Sequence, residues 1–243
     1  MAYWHPFHKL KIYQSRWHIV ATMLFILVPF AFLMAFSRVA HIQANQLSLS
    51  LAVSLWRIAI AYLISAFLGW ACAVLFYRGK RATVALPVFD LLQSFPTYAA
   101  LPIATLYWGP SNLTVIFFLV LAIIWPIFFS VVSSLKLIRR DWEEAVEISG
   151  LRGIDYLRYF VWPVSKPGLI TGSIIGLGDG WEALVATEII IGVKSGLGNF
   201  FQAFNQNITI TALGILGFLL IIFSINKLFW LPLLEMSHRD VEE

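Results

Sequence analysis

The sequence predicts an all-α integral membrane protein with six transmembrane helices and both termini in the cytoplasm. Three observations carry that prediction. The 243-residue chain is 60% hydrophobic and only 12% charged, whereas soluble domains carry about 25% charge, so it lacks the material for a water-facing surface. Apolar runs near the length needed to cross a bilayer, about 20 residues, recur six times. Basic residues then alternate sharply between the segments that join those runs.

The runs cover residues 19–36, 56–77, 82–107, 113–135, 168–191 and 208–230. The third contains Pro87, Pro96 and Pro102 and is expected to be kinked or broken. The stretch LSLSLAV at 47–53 either begins the second helix outside the membrane or forms an amphipathic lead-in. With the N-terminus inside, inner segments hold thirteen of the seventeen Lys and Arg residues, while outer segments hold Arg38 and Lys194 alone. This asymmetry sets the orientation. The domains follow: a cytoplasmic segment at 1–18, one membrane domain at 19–235 with a long cytoplasmic loop at 136–166, and a cytoplasmic tail at 236–243. The first run is read as a retained anchor, since the stretch before it is too long and too aromatic for a signal peptide.

Composition also excludes several classes. The single cysteine, Cys72, allows no intramolecular disulfide and no cysteine-based metal site. The five histidines show no HxxxH or HExxH spacing, so no metal is expected. The net charge of +4 reports orientation in the membrane, not nucleic-acid binding. No GxxxxGK[ST] phosphate loop occurs in the chain. A membrane-embedded enzyme would need a polar catalytic cluster at one depth. Asp179 and Glu182, without a neighbouring histidine or nucleophile, do not make one.

The loop DWEEAVEISGLRGIDYLRYFVWP (141–163) breaks the apolar pattern. Asp141 followed by Glu144 reads as a capping box starting a helix at Trp142, and Gly150 reads as its stop. Gly153 gives a second break, Asp155 caps a second short helix, and Pro163 closes it. The result is a compact protrusion suited to docking on another protein.

Gly168, Gly172, Gly176 and Gly180 form overlapping GxxxG units on one helical stripe, where another backbone can approach closely. The stripe suits packing within the bundle first, with a dimer interface whose halves slide as the functional alternative. Ionisable groups inside spans are functional candidates. At about 1.5 Å per residue, Arg57 and Glu188 reach nearly the same height, close to the outer surface. They can form an ion pair there, or each can face interfacial water. Asp179 falls close to the midplane, with Glu182 one turn later and Trp181 between them. Asp90, among prolines, reads as structural.

Glu144, Ala145, Gly150 and Pro163 carry a further signal. Their spacing resembles the EAA loop of ABC importer permeases: EAA, three residues, Gly, nine residues, then Ile-x-Leu-Pro. Val146, Phe160 and Trp162 depart from that pattern in size but not in polarity. SLWRIAIAYLISAFLG (54–69), LQSFPTYAALPIATLYWG (92–109), GWEALVATE (180–188) and SGLGNFF (195–201) are similar, in order, to segments of the nitrate, sulfonate and taurine importer branch. The resemblance implies the six-helix type I permease fold in a bacterial inner membrane. It also implies an importer whose coupling helix sits on a separate ATPase that binds ATP and Mg, with no cofactor in this chain. A solute-binding protein outside and a second permease copy, or a related chain, complete the implied assembly. Asp141, Glu143, Glu144, Ala145, Gly150, Arg152 and Pro163 become the candidate coupling residues. Arg57, Asp179, Trp181, Glu182 and Glu188 are the candidate pathway residues. Arg57 and Glu188 follow the branch pattern, whereas Asp179 and Glu182 depart from it and would favour a cationic group over a simple anion. The rival reading is a stand-alone transporter using Asp179 as its proton site.

Overall fold

A computed structural model of the chain describes residues 16–39, 44–230 and 232–233. The described residues form helices joined by short turns: α1 (Arg16–Val39), α2 (Ala44–Phe76), α3 (Gly79–Gln93), α4 (Thr97–Trp108), α5 (Asn112–Lys136), α6 (Arg140–Ser149), α7 (Gly153–Tyr156), α8 (Trp162–Ile191), α9 (Leu197–Ala203) and α10 (Ile208–Ile225). Two π-helical turns, Leu157–Val161 and Asn226–Trp230, precede α8 and extend α10. The segment 47–53 is part of α2, which runs unbroken for 33 residues.

Three of these helical stretches are long and apolar enough to cross a membrane: Asn45–Phe76, Asn112–Lys136 and Ile208–Trp230. The α3–α4 pair makes a fourth if it is counted as one span, bent by 77°. The break expected from three prolines falls at Pro96 alone, which sits at the N-cap of α4. Pro87 and Pro102 are carried inside helices. The 30-residue α8, which carries Asp179, Glu182 and Glu188 along its length, is not among these apolar spans. Expected to begin at Gly168, it begins at Trp162.

The bundle is organised by α5. Val115, Leu119, Ile123, Ile127, Val131 and Leu135, four residues apart, are all at most 1% exposed. This row of branched side chains forms a ridge of the kind that fits a groove on a facing helix. The groove is the glycine stripe of α8. A Cβ at Gly168 would lie 2.5 Å from the Ser130 carbonyl oxygen, and one at Gly172 would lie 2.6 Å from the Ile127 Cα. Gly176 meets the Ile123 carbonyl and Gly180 the Ile123 side chain in the same way. Packing inside the chain therefore occupies the stripe, and the sliding dimer interface also considered for it is ruled out at these four positions.

Along its inner face α2 is tied down at successive turns. Tyr62 Oη shares a hydrogen bond with Ser173 Oγ at 3.1 Å, Ser65 Oγ donates to the Val120 carbonyl at 3.3 Å, and Trp70 Nε1 donates to Ser165 Oγ at 2.8 Å. Helices α2, α5 and α8 thus form the packed centre. At the side, α10 packs chiefly on α1, and Trp230 meets the Tyr62 ring edge-on at 5.7 Å.

Candidate functional site

Two polar regions stand at opposite ends of the bundle, separated along α2 by the helix from Arg57 to its last residue, Phe76, a rise of roughly 29 Å at about 1.5 Å per residue.

The first region surrounds Arg57. Its guanidinium is 2% exposed and forms an ion pair with the fully buried Glu188 carboxylate at 2.5 Å. Arg57 Nε and Nη2 both donate to Asn112 Oδ1, at 2.9 and 2.6 Å. Nη1 also donates to the Ser195 carbonyl at 2.8 Å, and Nη2 to Ser195 Oγ at 3.1 Å. An arginine has five N–H donors, and these bonds use all five. Both oxygens of Glu188 are engaged as well: besides Arg57, its carboxylate accepts the Ser54 hydroxyl at 2.8 Å and the Gly198 amide at 2.8 Å. Ser54 Oγ in turn accepts the Leu197 amide at 2.8 Å.

Arg57 and Glu188 do meet, as their matching heights allowed, and the alternative that each faces interfacial water is ruled out by their burial. The site is chemically closed. With every donor of Arg57 engaged, it has no hydrogen bond left to offer an incoming anion.

The local sequence explains how the loop reaches this carboxylate. Gly196 has φ +111°, and a Cβ on it would lie 2.5 Å from both Glu188 oxygens; a Cβ on Gly198 would overlap the Glu188 Cβ. The two glycines let the backbone lie directly on the side chain. Sequence reasoning missed Ser54, Asn112 and Ser195 as partners. The pair of glycines flanking Leu197 was the one signal of a close backbone approach.

The second region is the loop at 136–166. Helix α6 begins at Arg140, and its N-cap is Arg139 without a side-chain cap bond. The capping box expected from Asp141 and Glu144 does not form. Asp141 lies in the first turn, where an acid favours the helix dipole, and Arg139 holds it at 3.0 and 2.6 Å. Glu144 pairs with Arg140 at 3.3 Å. Gly150 ends the helix in the left-handed region (φ +71°), its amide donating to the Glu147 carbonyl at 3.2 Å.

Beyond it, Arg152 is the N-cap of α7 and Asp155 lies within the first turn, so Asp155 is not a cap. Nor does Pro163 close a helix. It sits in the first turn of α8, where its missing N–H costs nothing that the π turn before it has not already loosened. From Gly153 to Ile191 the chain is helical without a break.

The two faces of α6 differ. Trp142 and Val146 pack inward against the bundle, and Glu143 pairs with Arg78 of the α2–α3 turn at 2.9 Å. Asp141, Glu144, Ala145 and Ile148 point out, Ile148 being 88% exposed. A cleft of about 430 Å³ opens on the side of Glu143 and Val146, between Arg78, Glu147, Gly150 and Tyr156. Of the seven candidate coupling residues, Glu143 forms an ion pair within the chain and Pro163 lies half-buried in the first turn of α8. Asp141, Glu144, Ala145, Gly150 and Arg152 are exposed.

Between the two regions, α8 presents Thr171, Ile175, Gly178, Asp179 and Glu182 on one exposed stripe, flanking its glycine groove. Trp181 does not share it. That ring is 6% exposed and meets Phe218 edge-on at 5.4 Å. Among the described residues no group of three or more metal-ligating side chains occurs.

This architecture, a helical bundle with three or four apolar spans and an exposed helical loop at one end, is that of a membrane protein. Residues 65–229 match the family of the binding-protein-dependent transport system inner membrane component, and the chain belongs to that family. It is 31% identical over 178 residues to the nitrate import permease protein NrtB of Leptolyngbya laminosa, covering 70% of this chain and 63% of that one. It is 28% identical over 156 residues to the bicarbonate transport system permease protein CmpB of Synechococcus elongatus, covering 63% and 56%. It is 29% identical over 154 residues to the taurine transport system permease protein TauC of Escherichia coli, covering 63% and 56%. The matches span less than two thirds of those relatives' own length.

Proposed function

We propose that the chain is the membrane-spanning subunit of an ATP-driven importer, working by alternating access with no chemistry of its own. Solute arrives from an extracytoplasmic binding protein, and a separate ATPase binds ATP and Mg and hydrolyses the nucleotide. A second copy of the chain, or a related permease, completes the pathway in a bacterial inner membrane. In this reading six helices cross the bilayer with both termini inside, the basic loops defining the inner face.

The observation that carries the reading is the outward face of α6, ended by the left-handed Gly150. It is an exposed, capped helix joined through α7 to the continuous helix that bears the acidic stripe. A partner that pushes on α6 would act on α8 directly. The stripe of Asp179 and Glu182 is the proposed lining of the pathway, and its charge favours solutes with a cationic or hydrogen-bond-donating group. Nitrate, bicarbonate and taurine, named for the relatives, supply the competing anionic panel.

Mild-detergent purification of the chain from its native membrane tests the proposal, comparing wild type with Glu144→Arg plus Gly150→Trp. An ATPase should co-purify with wild type and be lost from the variant. If none accompanies wild type, the importer reading fails and Asp179 becomes the proton-site candidate of a stand-alone transporter.

A further inference from the structure

We infer that the Arg57–Glu188 cluster is a permanent fastener that makes α9 and the α8–α9 loop one rigid body with α2 and the start of α5. An ion pair at the outer mouth of a transporter invites reading as a gate that opens in each cycle, and the geometry argues against that. A gating pair has to find new partners or water when it parts. Here all five guanidinium donors, both carboxylate oxygens and the Ser54 hydroxyl are engaged inside a site that buries Arg57 and Glu188 almost completely. Buried polar groups that lose their partners are costly, so opening would orphan several at once.

The connections also run between segments far apart in sequence. Arg57 holds the first residue of α5 through Asn112 and the α8–α9 loop through Ser195. Glu188 and Ser54 hold the first two amides of α9, at Leu197 and Gly198. The glycines at 196 and 198 leave no gap between that backbone and the carboxylate. Arg57 and Glu188 are therefore positioning residues. They fix the outer loops against each other, and the moving surfaces of the transport cycle lie elsewhere.

This inference takes its outer-end orientation and its cycle from the importer reading, and the test separates the two. Spin labels are placed at Leu49→Cys on α2 and Gln202→Cys on α9, both exposed, in a Cys72→Ser background. Distances are read in the complex purified with its ATPase, nucleotide-free and trapped with ATP and vanadate. The expected result is one narrow distance, unchanged by trapping, that broadens in Glu188→Gln and in the milder Asn112→Ala. A shift on trapping in the wild type overturns the fastener, as does an unbroadened distance in both variants. If no ATPase co-purifies, the importer reading falls. The nucleotide-free comparison of wild type with the two variants still decides the fastener by the same broadening.

Discussion

The Leu197 amide donates to the Ser54 hydroxyl at 2.8 Å across 143 residues of sequence, and the same hydroxyl donates onward to Glu188. One small side chain thus completes two buried groups at once. Ser54→Ala should cost about 1–3 kcal/mol, the penalty for a buried polar group left without its partner. The check is a thermal unfolding midpoint in detergent, which should fall clearly below that of an Asn205→Ala control at an exposed surface position.

Removing the ion pair should behave unlike removal of an isolated one. Replacing both members of a simple buried pair by apolar residues is often neutral, while breaking one member costs about 3–5 kcal/mol. Here Arg57→Met with Glu188→Met would still orphan the Ser54 hydroxyl and the Gly198 amide. The double variant should therefore remain destabilised, and recovery of the wild-type midpoint would refute the closed-network description.

The glycines of α8 should divide into two classes. Gly172→Ala drives a Cβ to within 2.6 Å of the Ile127 backbone, an overpacking expected to cost about 1–3 kcal/mol. Gly178→Ala meets nothing within 4 Å and should be neutral or stabilising by about 1 kcal/mol through helix propensity. Midpoints of the two variants, measured side by side, give the comparison.

Asp179→Asn should lower uptake of the solute brought by the partner binding protein if the acidic stripe lines the pathway, and the volume-conserving Leu177→Met on another face of α8 should not. Uptake in vesicles, with nitrate, taurine and cationic solutes as competitors, reads both effects. Unchanged uptake in Asp179→Asn would remove the stripe from the pathway.

Much of this architecture was legible from spacing. The rise of a helix placed Arg57 and Glu188 at one height because both sit on long uninterrupted helices, where residue counting is a ruler. The period of four exposed the glycine groove for the same reason, whereas the matching ridge on α5 was not read from a run that is apolar on every face. The partners of Arg57 were not legible. Ser54, Asn112 and Ser195 are small polar residues that fit many surroundings, and only the approach of distant segments selects them. The loop misled in another way. Asp141 is an ordinary cap residue, but placing it one residue inside the helix serves the dipole instead, and a sequence alone does not separate those registers. Pro163 was read as an ending because a proline usually stops a helix, whereas a loosened turn ahead of it allowed the helix to go on.

That loosened turn has a consequence for angles. A π turn takes in one more residue than an α turn, and each α-helical residue advances about 100° around the axis. The single extra residue in Leu157–Val161 therefore sets the rotational phase between α6–α7 and everything beyond it. With one residue fewer there, the glycine groove of α8 would turn away from the ridge of α5, and the acidic stripe would rotate with it. The exposed face of α6 and the acidic stripe of α8 are thus kept in register by one residue of winding.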